Sequence, residues 1–195
     1  MLPSALNVGV LALQGAFAKH AEMLIRLGVN VVEVRKPSDL SLCDALIIPG
    51  GESTTISKQI HFINFADPFC RFAEVKPVFG TCAGLILMSH KIEGDAMQPF
   101  NLLDVVVERN AFGRQVESFE TKVDYNTEKG TNISIPAVFI RAPRIKGVGK
   151  DVKILATLND EPVLVQQGFH LGSTFHPELT SDPTIHLHFL HLIKK

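Results

Sequence analysis

Across the first ninety residues, hydrophobic positions follow two alternating patterns. Short, continuous apolar runs occur at Val8 to Leu13, Ala45 to Ile48 and Pro77 to Phe79, and Val29 to Val34 reads as a further strand. Such runs predict strands covered on both faces. Between them, apolar residues fall at helical spacing: Ala18 to Leu27 with Ala21, Leu24, Ile25 and Gly28 on one stripe, Ser53 to Phe62 with Ser53 as its N-cap, Phe69 to Val75, and Ala83 to His90. Strands alternating with helices imply βαβ units and a parallel sheet. Beyond residue 100 the texture changes. Leu103 to Val107, Ala137 to Ile140, Val152 to Leu158, Val163 to Gln166 and Leu171 to Phe175 read as strands, separated by turn-rich pieces at 126–132 and 147–150. The next helix is expected only at Asp182 to Ile193. An antiparallel portion added to the parallel sheet follows from this. With no compositional break or internal repeat, one domain over residues 1–195 is expected.

Composition narrows the function classes. A chain of 195 residues suffices for one sizeable core. With 19 basic and 20 acidic residues the net charge is −1, which argues against a nucleic-acid partner. The absence of tryptophan and the single tyrosine, Tyr125, leave few of the usual base-stacking residues. No apolar run approaches the roughly 20 residues of a membrane span, and the opening Met1-Leu2-Pro3-Ser4 has no secretory character. Three widely spaced cysteines, Cys43, Cys70 and Cys82, argue against a disulfide scaffold and a cysteine-rich zinc site, so a cytoplasmic location is expected.

The most informative stretch is Val78 to Ile86, which reads Gly-x-Cys-x-Gly between a short strand and a helix. A nucleophile elbow takes this form: the turn is tight and strained, so small residues flank the nucleophile, here Cys82. The helix start adds partial positive charge, which favours the reactive thiolate. Most cysteines at such turns are simply small buried residues; the paired glycines and the strand–turn–helix setting favour the nucleophile. A base is found in Ser173-Thr174-Phe175-His176-Pro177-Glu178. If this stretch is extended, His176 and Glu178 face the same side. Glu178 would then fix the imidazole tautomer while the other ring nitrogen takes the thiol proton. The plain alternative is a solvated pair on a surface turn. Gly50-Gly51 ends a buried strand ahead of a helix, leaving backbone N–H groups free for an oxyanion. Alone, that stretch reads first as a turn and helix cap.

In this order the motifs resemble those of class I (triad) glutamine amidotransferases. More narrowly, they resemble the glutaminase subunits of pyridoxal 5′-phosphate synthases. The resemblance rests on Leu13-Gln14-Gly15, Gly50-Gly51-Glu52-Ser53-Thr54-Thr55, Gly80-Thr81-Cys82-Ala83-Gly84, Val107 to Gln115, Phe139-Ile140-Arg141-Ala142-Pro143 and Phe175-His176-Pro177-Glu178-Leu179. Gly-x-Cys-x-Gly and His-Pro-Glu are widespread among amidotransferases. Glu-Arg-Asn-x-Phe-Gly-Arg-Gln and Ile-Arg-Ala-Pro are particular to this family.

The resemblance implies an α/β fold of three layers, flavodoxin-like, with a mostly parallel central sheet flanked by helices and an antiparallel extension. It implies hydrolysis of L-glutamine through a glutamyl thioester, with Cys82 as nucleophile, His176 as base and Glu178 orienting the base. Gly51, Glu52, Ser53, Arg109, Ile140 and Arg141 would contact glutamine. The backbone N–H groups of Gly51 and Ala83 would form the oxyanion hole. Gln14 would lie at the interface with a ring-shaped synthase subunit that receives the ammonia and builds pyridoxal 5′-phosphate in a large hetero-oligomer. That compound would be the product of the complex; no cofactor and no metal are expected in this chain. A guanidinium also suits the α-carboxylate of a free amino acid.

Two rival readings keep the fold: a stand-alone γ-glutamyl hydrolase, and a docking module without activity. Leu2 to Leu6 extend further than the family leads one to expect. The loops Glu93 to Asn101 and Asp124 to Pro136 vary in length within it and receive no residue roles. His186, His188 and His191 crowd the last helix without metal-ligand spacing and read as ordinary helix-face residues, with His188 and His191 sharing a face. His20, His61, His90 and His170 read as isolated, and Cys43 and Cys70 as small core residues.

Overall fold

A computed structural model describes residues 6–109, 118–127 and 130–193 of the chain. The apolar runs of the first half become β1 (Asn7–Leu11), β2 (Asn30–Val34), β3 (Ala45–Ile48) and β4 (Val78–Thr81), paired in parallel in the order β2-β1-β3-β4. Successive side chains point to opposite faces; both faces are covered along β1, β3 and β4, whereas β2 at the edge leaves Asn30 and Glu33 exposed. Val8, Val10, Ala45 and Ile47 join a core with Leu24 of α1 (Phe17–Arg26) and Phe189 of α5 (Thr184–Leu192). Leu11, Leu46 and Ile48 join a second core with Ile56 and Ile60 of α2 (Ser53–Phe62), Phe69 of α3 (Ala66–Ala73) and Leu85 of α4 (Ala83–Met88). A strand buried between two helical layers has no polar side, hence the uninterrupted apolar runs.

β12 (His170–Ser173) continues the sheet parallel to β4. From there β11 (Glu161–Gln167), β10 (Lys153–Leu158), β7 (Ser118–Asn126) and β8 (Asn132–Ile140) extend it antiparallel to a nine-stranded sheet. Pro136 sits within β8, which is the outer strand of the sheet, where a missing N–H is tolerated. A small second sheet of β5 (Ser89–Ile92), β6 (Leu103–Glu108) and β9 (Arg144–Val148) packs Ile92, Leu103, Val105 and Ile145 into the α2–α4 core.

Several elements depart from the sequence reading. α1 turns His20, Met23 and Leu24 inward, and leaves Ile25 64% exposed, so its buried stripe is rotated from the one expected. The helix expected over 83–90 stops at Met88, and Ser89 opens β5 with an extended backbone. β7 and β9 were not anticipated, and Ala137 to Ile140 is the tail of a nine-residue strand. Cys70 is exposed rather than in the core, whereas Cys43 is buried. Within this frame β1, β3, β4 and β12 all end at one edge of the sheet, where open α/β sheets bind their ligands.

Candidate active site

Cys82 stands at the carboxyl end of β4 with φ +49° and ψ −101°, in the left-handed region that non-glycine residues rarely enter. Its N–H donates to the Ser173 carbonyl (2.8 Å), tying the elbow to β12. The flanking glycines are required by space. A Cβ on Gly84 would lie 2.1 Å from the Ile48 carbonyl oxygen, and one on Gly80 would lie 2.5 Å from the Gly84 backbone. The thiol lies 3.8 Å from the Ile140 carbonyl and interacts with the imidazole of His176.

His176 follows β12, and its N–H donates to the Val138 carbonyl of β8 (2.8 Å). The link to Glu178 is a tight turn over Pro177–Leu179, not the extended stretch expected, yet the two side chains meet: His176 Nδ1 lies 2.7 Å from Glu178 Oε1. Both are buried. Burial works against the imidazolium, but the hydrogen bonds and negative charge of Cys82 and Glu178 outweigh it and raise the His176 pKa. Burial likewise opposes the Glu178 carboxylate; the electrostatic effect of His20 and the hydrogen bond from His176 outweigh it and hold its pKa low.

Cys82 and His176 face a cavity of about 230 Å³ that Gly51, Glu52, Ser53, Arg109, Ile140 and Arg141 also line. Gln14, Ala83 and Glu178 stand behind this wall. Glu52, not Ser53, caps α2: its carboxylate accepts from the N–H groups of Thr54 (3.0 Å) and Thr55 (2.7 Å). The Thr55 hydroxyl adds a third hydrogen bond (2.6 Å), and together these lower the Glu52 pKa to about 2. Arg109 is held over the cavity by Asp95, Glu52 (3.4 Å) and the Thr54 hydroxyl (3.2 Å). Arg141 is exposed at the rim with φ +42°, a second strained backbone beside the cavity.

The Gly50–Gly51 peptide is clamped from the β1–α1 loop. The Ala16 N–H donates to the Gly50 carbonyl (2.9 Å), and the Glu52 N–H donates to Gln14 Oε1 (2.9 Å). A Cβ on Gly50 would fall 2.2 Å from His176 Cε1. The first-strand loop, the glycine pair and the candidate base therefore touch in sequence. Residues 110–115 of the Glu-Arg-Asn-x-Phe-Gly-Arg-Gln stretch lie outside the described residues.

Sequence reasoning missed Asp95 and the histidines behind Glu178. Asp95 lies in the 93–101 loop, which received no residue roles. His20 is not isolated: it is fully buried, 3.4 Å from Glu178 Oε2 and 3.0 Å from His186. His188 is also internal, bonded to Tyr125 (2.9 Å) and Gln166 (2.8 Å). A histidine on the inward side of α1 was the available signal. Among the described residues, no cluster of three or more histidine, cysteine or carboxylate side chains is placed to hold a metal, and no helix is long and apolar enough to cross a membrane.

Comparison with known proteins adds independent findings. Residues 10–195 match the model of the SNO glutamine amidotransferase family. The chain is 50% identical over 188 residues to "Pyridoxal 5'-phosphate synthase subunit PdxT" of Desulforamulus reducens, covering 96% of this chain and 99% of that protein. It is 44% identical to the protein of the same name from Thermosipho africanus, covering 97% and 100%. A solved structure described as a glutamine amidotransferase superposes with a TM-score of 0.89 at 50% identity, over 95% of this chain and 98% of that one. PurLQS from Thermotoga maritima shares the fold at 18% identity, with a TM-score of 0.65 over 94% and 92%.

Proposed function

The chain belongs to the SNO glutamine amidotransferase family, and from that premise we propose that it is the glutaminase subunit of a pyridoxal 5′-phosphate synthase. The observation that carries this reading is the cavity in which a strained-elbow cysteine meets a histidine backed by a buried carboxylate. The Cys82 sulfur, as the thiolate whose proton His176 already holds, attacks the side-chain carbonyl carbon of L-glutamine. The oxyanion of the tetrahedral intermediate takes the N–H groups of Gly51 and Ala83. His176 returns the proton to the amide nitrogen, the C–N bond breaks, and ammonia leaves a glutamyl thioester on Cys82. Water, deprotonated by His176, attacks that thioester; glutamate leaves and the thiol is restored. Glu178 keeps the His176 Nδ1–H directed away from the sulfur, so that Nε2 does the transfers. Arg109 and Arg141 suit the α-carboxylate of glutamine, and Glu52 and Ser53 border the same space. No metal or cofactor enters these steps.

The partner is a synthase subunit in the cytoplasm that consumes the ammonia. Gln14 and Ala16 give it a handle: Ala16 grips the Gly50–Gly51 peptide that carries one oxyanion donor, and Gln14 grips the Gly51–Glu52 peptide that follows it. Two glycines exchange backbone conformations at little steric cost. Docking on the β1–α1 loop is then transmitted to the oxyanion hole, where one lost donor costs on the order of a hundredfold to a thousandfold in rate. The test is glutamate formed from glutamine by the chain alone and mixed with a synthase subunit of this type. A low rate that rises strongly on mixing is expected. An equal rate in both samples points to a stand-alone γ-glutamyl hydrolase, and no turnover in either points to a docking module.

A further inference from the structure

Behind the triad carboxylate lie two buried imidazoles that the mechanism above does not use. His20 Nε2 is 3.4 Å from Glu178 Oε2 and 3.1 Å from the hydroxyl of Thr81. Its Nδ1 is 3.0 Å from Nε2 of His186 on α5. Both rings are fully buried and set edge-on to Phe79, and neither lines the cavity. The remaining nitrogen, His186 Nδ1, is buried and has no hydrogen-bond partner among the described residues, and Glu178 Oε2 has only the 3.4 Å approach of His20, which is a polar contact and not a formed hydrogen bond.

The protons of this chain follow by elimination. Glu178 is ionised, so both its oxygens accept. A neutral imidazole donates from one nitrogen and accepts at the other. A proton on His186 Nδ1 would be a buried donor with no acceptor, and it would make His20 donate to His186 and turn a lone pair toward the carboxylate. With the proton on His186 Nε2, His186 donates to His20 Nδ1, and His20 donates from Nε2 into the space between Glu178 Oε2 and Thr81. No buried donor is then stranded: the atoms outside a hydrogen bond are acceptors alone, the His186 Nδ1 lone pair and the Glu178 oxygen that the His20 N–H faces, which is the cheaper defect. Burial lowers the pKa of both rings, that of His186 to about 3, with Arg26 of α1 adding to the effect on His186, so both remain neutral. The charged or titratable groups facing the pair are Glu178 and His176 from the turn after β12 and Arg26 from α1.

We propose that His20, oriented by His186, is a positioning residue for the triad: its Nε2–H holds the second oxygen of Glu178, so that the first stays aimed at His176 Nδ1. The chemistry affected rests on the glutaminase reading; the geometry does not. Glu178 thus has an N–H on each side, that of the base it orients in a hydrogen bond at 2.7 Å and that of His20 on α1 facing the second oxygen at 3.4 Å.

Two amide substitutions separate the donor from mere packing. His20→Gln reaches the Nε2 position and keeps an N–H for Glu178. His20→Asn can still meet His186 but stops short of the carboxylate. Glutaminase rates would be measured with the synthase subunit present. The pH profile of Cys82 alkylation by iodoacetamide would be measured on the chain alone, with thermal melting as the check on folding. His20→Asn is expected to lower kcat on the order of tenfold to hundredfold with little change in KM, the range for groups that orient a reacting residue from behind. It should also move the acid limb of alkylation to higher pH, because a carboxylate without its donor protonates more readily. His20→Gln should restore most of both. Wild-type behaviour in both variants, or equal loss in both at unchanged melting temperature, overturns the proposal. If the wild-type protein hydrolyses no glutamine but the acid limb still shifts in the Asn variant alone, the positioning role stands and the glutaminase reading falls.

Discussion

The two sides of His176 are built differently. In front lies an open cavity with two strained residues at its edge, Cys82 and Arg141, and an Arg109 held by polar contacts that solvent reaches. Behind lie Glu178, His20 and His186, all buried, with both imidazoles set edge-on to Phe79. The front has room for a substrate and, at Gly50-Gly51, a peptide that can turn. The back is closed, and its polar groups face one another, with Glu178 Oε2 and His186 Nδ1 outside any hydrogen bond among the described residues. On the proposed reading, the same imidazole faces the reacting groups on one side and the groups that keep it pointing one way on the other. Backbone strain lies at the front; the back relies on a few hydrogen bonds and polar contacts in a low dielectric, where each is worth more and each loss costs more.

The largest effect should come from disturbing the ring itself. His176→Asn is expected to leave only a residual rate, since a positioned base contributes on the order of a hundredfold to ten-thousandfold. Gly50→Ala should reproduce much of that loss without touching the base, because the new methyl would lie 2.2 Å from His176 Cε1 and the ring must move. Gly28→Ala is the control: φ is +75° there, so the backbone is strained, but nothing lies within 4 Å of the added atom. It should lower the melting temperature and leave the rate alone. A fully active Gly50→Ala protein would mean that the front of the ring is looser than its geometry indicates.

A smaller effect sharpens the same contrast through pH. His186, with a pKa lowered to about 3, and His20, also lowered, resist protonation in the folded state, whereas their unfolded counterparts titrate near 6.5. The unfolded chain therefore binds more protons in acid, and stability should fall from about pH 6.5 toward pH 3, by about 1.4 kcal/mol per pH unit for each such proton. His176 has the opposite sign. Its raised pKa contributes stability that is fully present below about 6.5 and is lost as pH rises through the folded value. Urea unfolding at pH 7 and pH 5 should show the acid loss, and His186→Leu should reduce it. An unchanged slope in that variant would show that the back of the site does not control acid stability.

How much of this was legible in the sequence depends on how local each signal is. The parallel strands announced themselves because burial on both faces demands unbroken apolar runs, as in Ala45–Ile48. β7 was missed because only alternate residues, Phe119, Thr121, Val123 and Tyr125, face inward, and the polar residues between them read as loop. The stripe of α1 was misplaced because its inner face carries His20, which hydropathy scores as polar, while Ile25 faces outward. Cys82 and the His176–Glu178 pair were readable because each motif lies within a few residues. The contact of His20 with His186 spans 166 positions, and only the packing of α1 beside α5 on one face of the sheet creates it. Asp95 reaches Arg109 from a loop with no pattern of its own.

The central claim is that one cysteine of three is made reactive by this two-sided setting. Burial, with Asp39 and Asp44 nearby, raises the Cys43 thiol to about 11, and burial also raises that of the exposed Cys70, so neither should be nucleophilic at neutral pH. A thiol-alkylating glutamine analogue, followed by mass mapping of the modified peptide, tests this most directly. Label on Cys82, slowed by added glutamine and absent from Cys43 and Cys70, is the result expected. Label mainly on Cys43 or Cys70, or labelling of Cys82 that glutamine does not slow, would contradict the account.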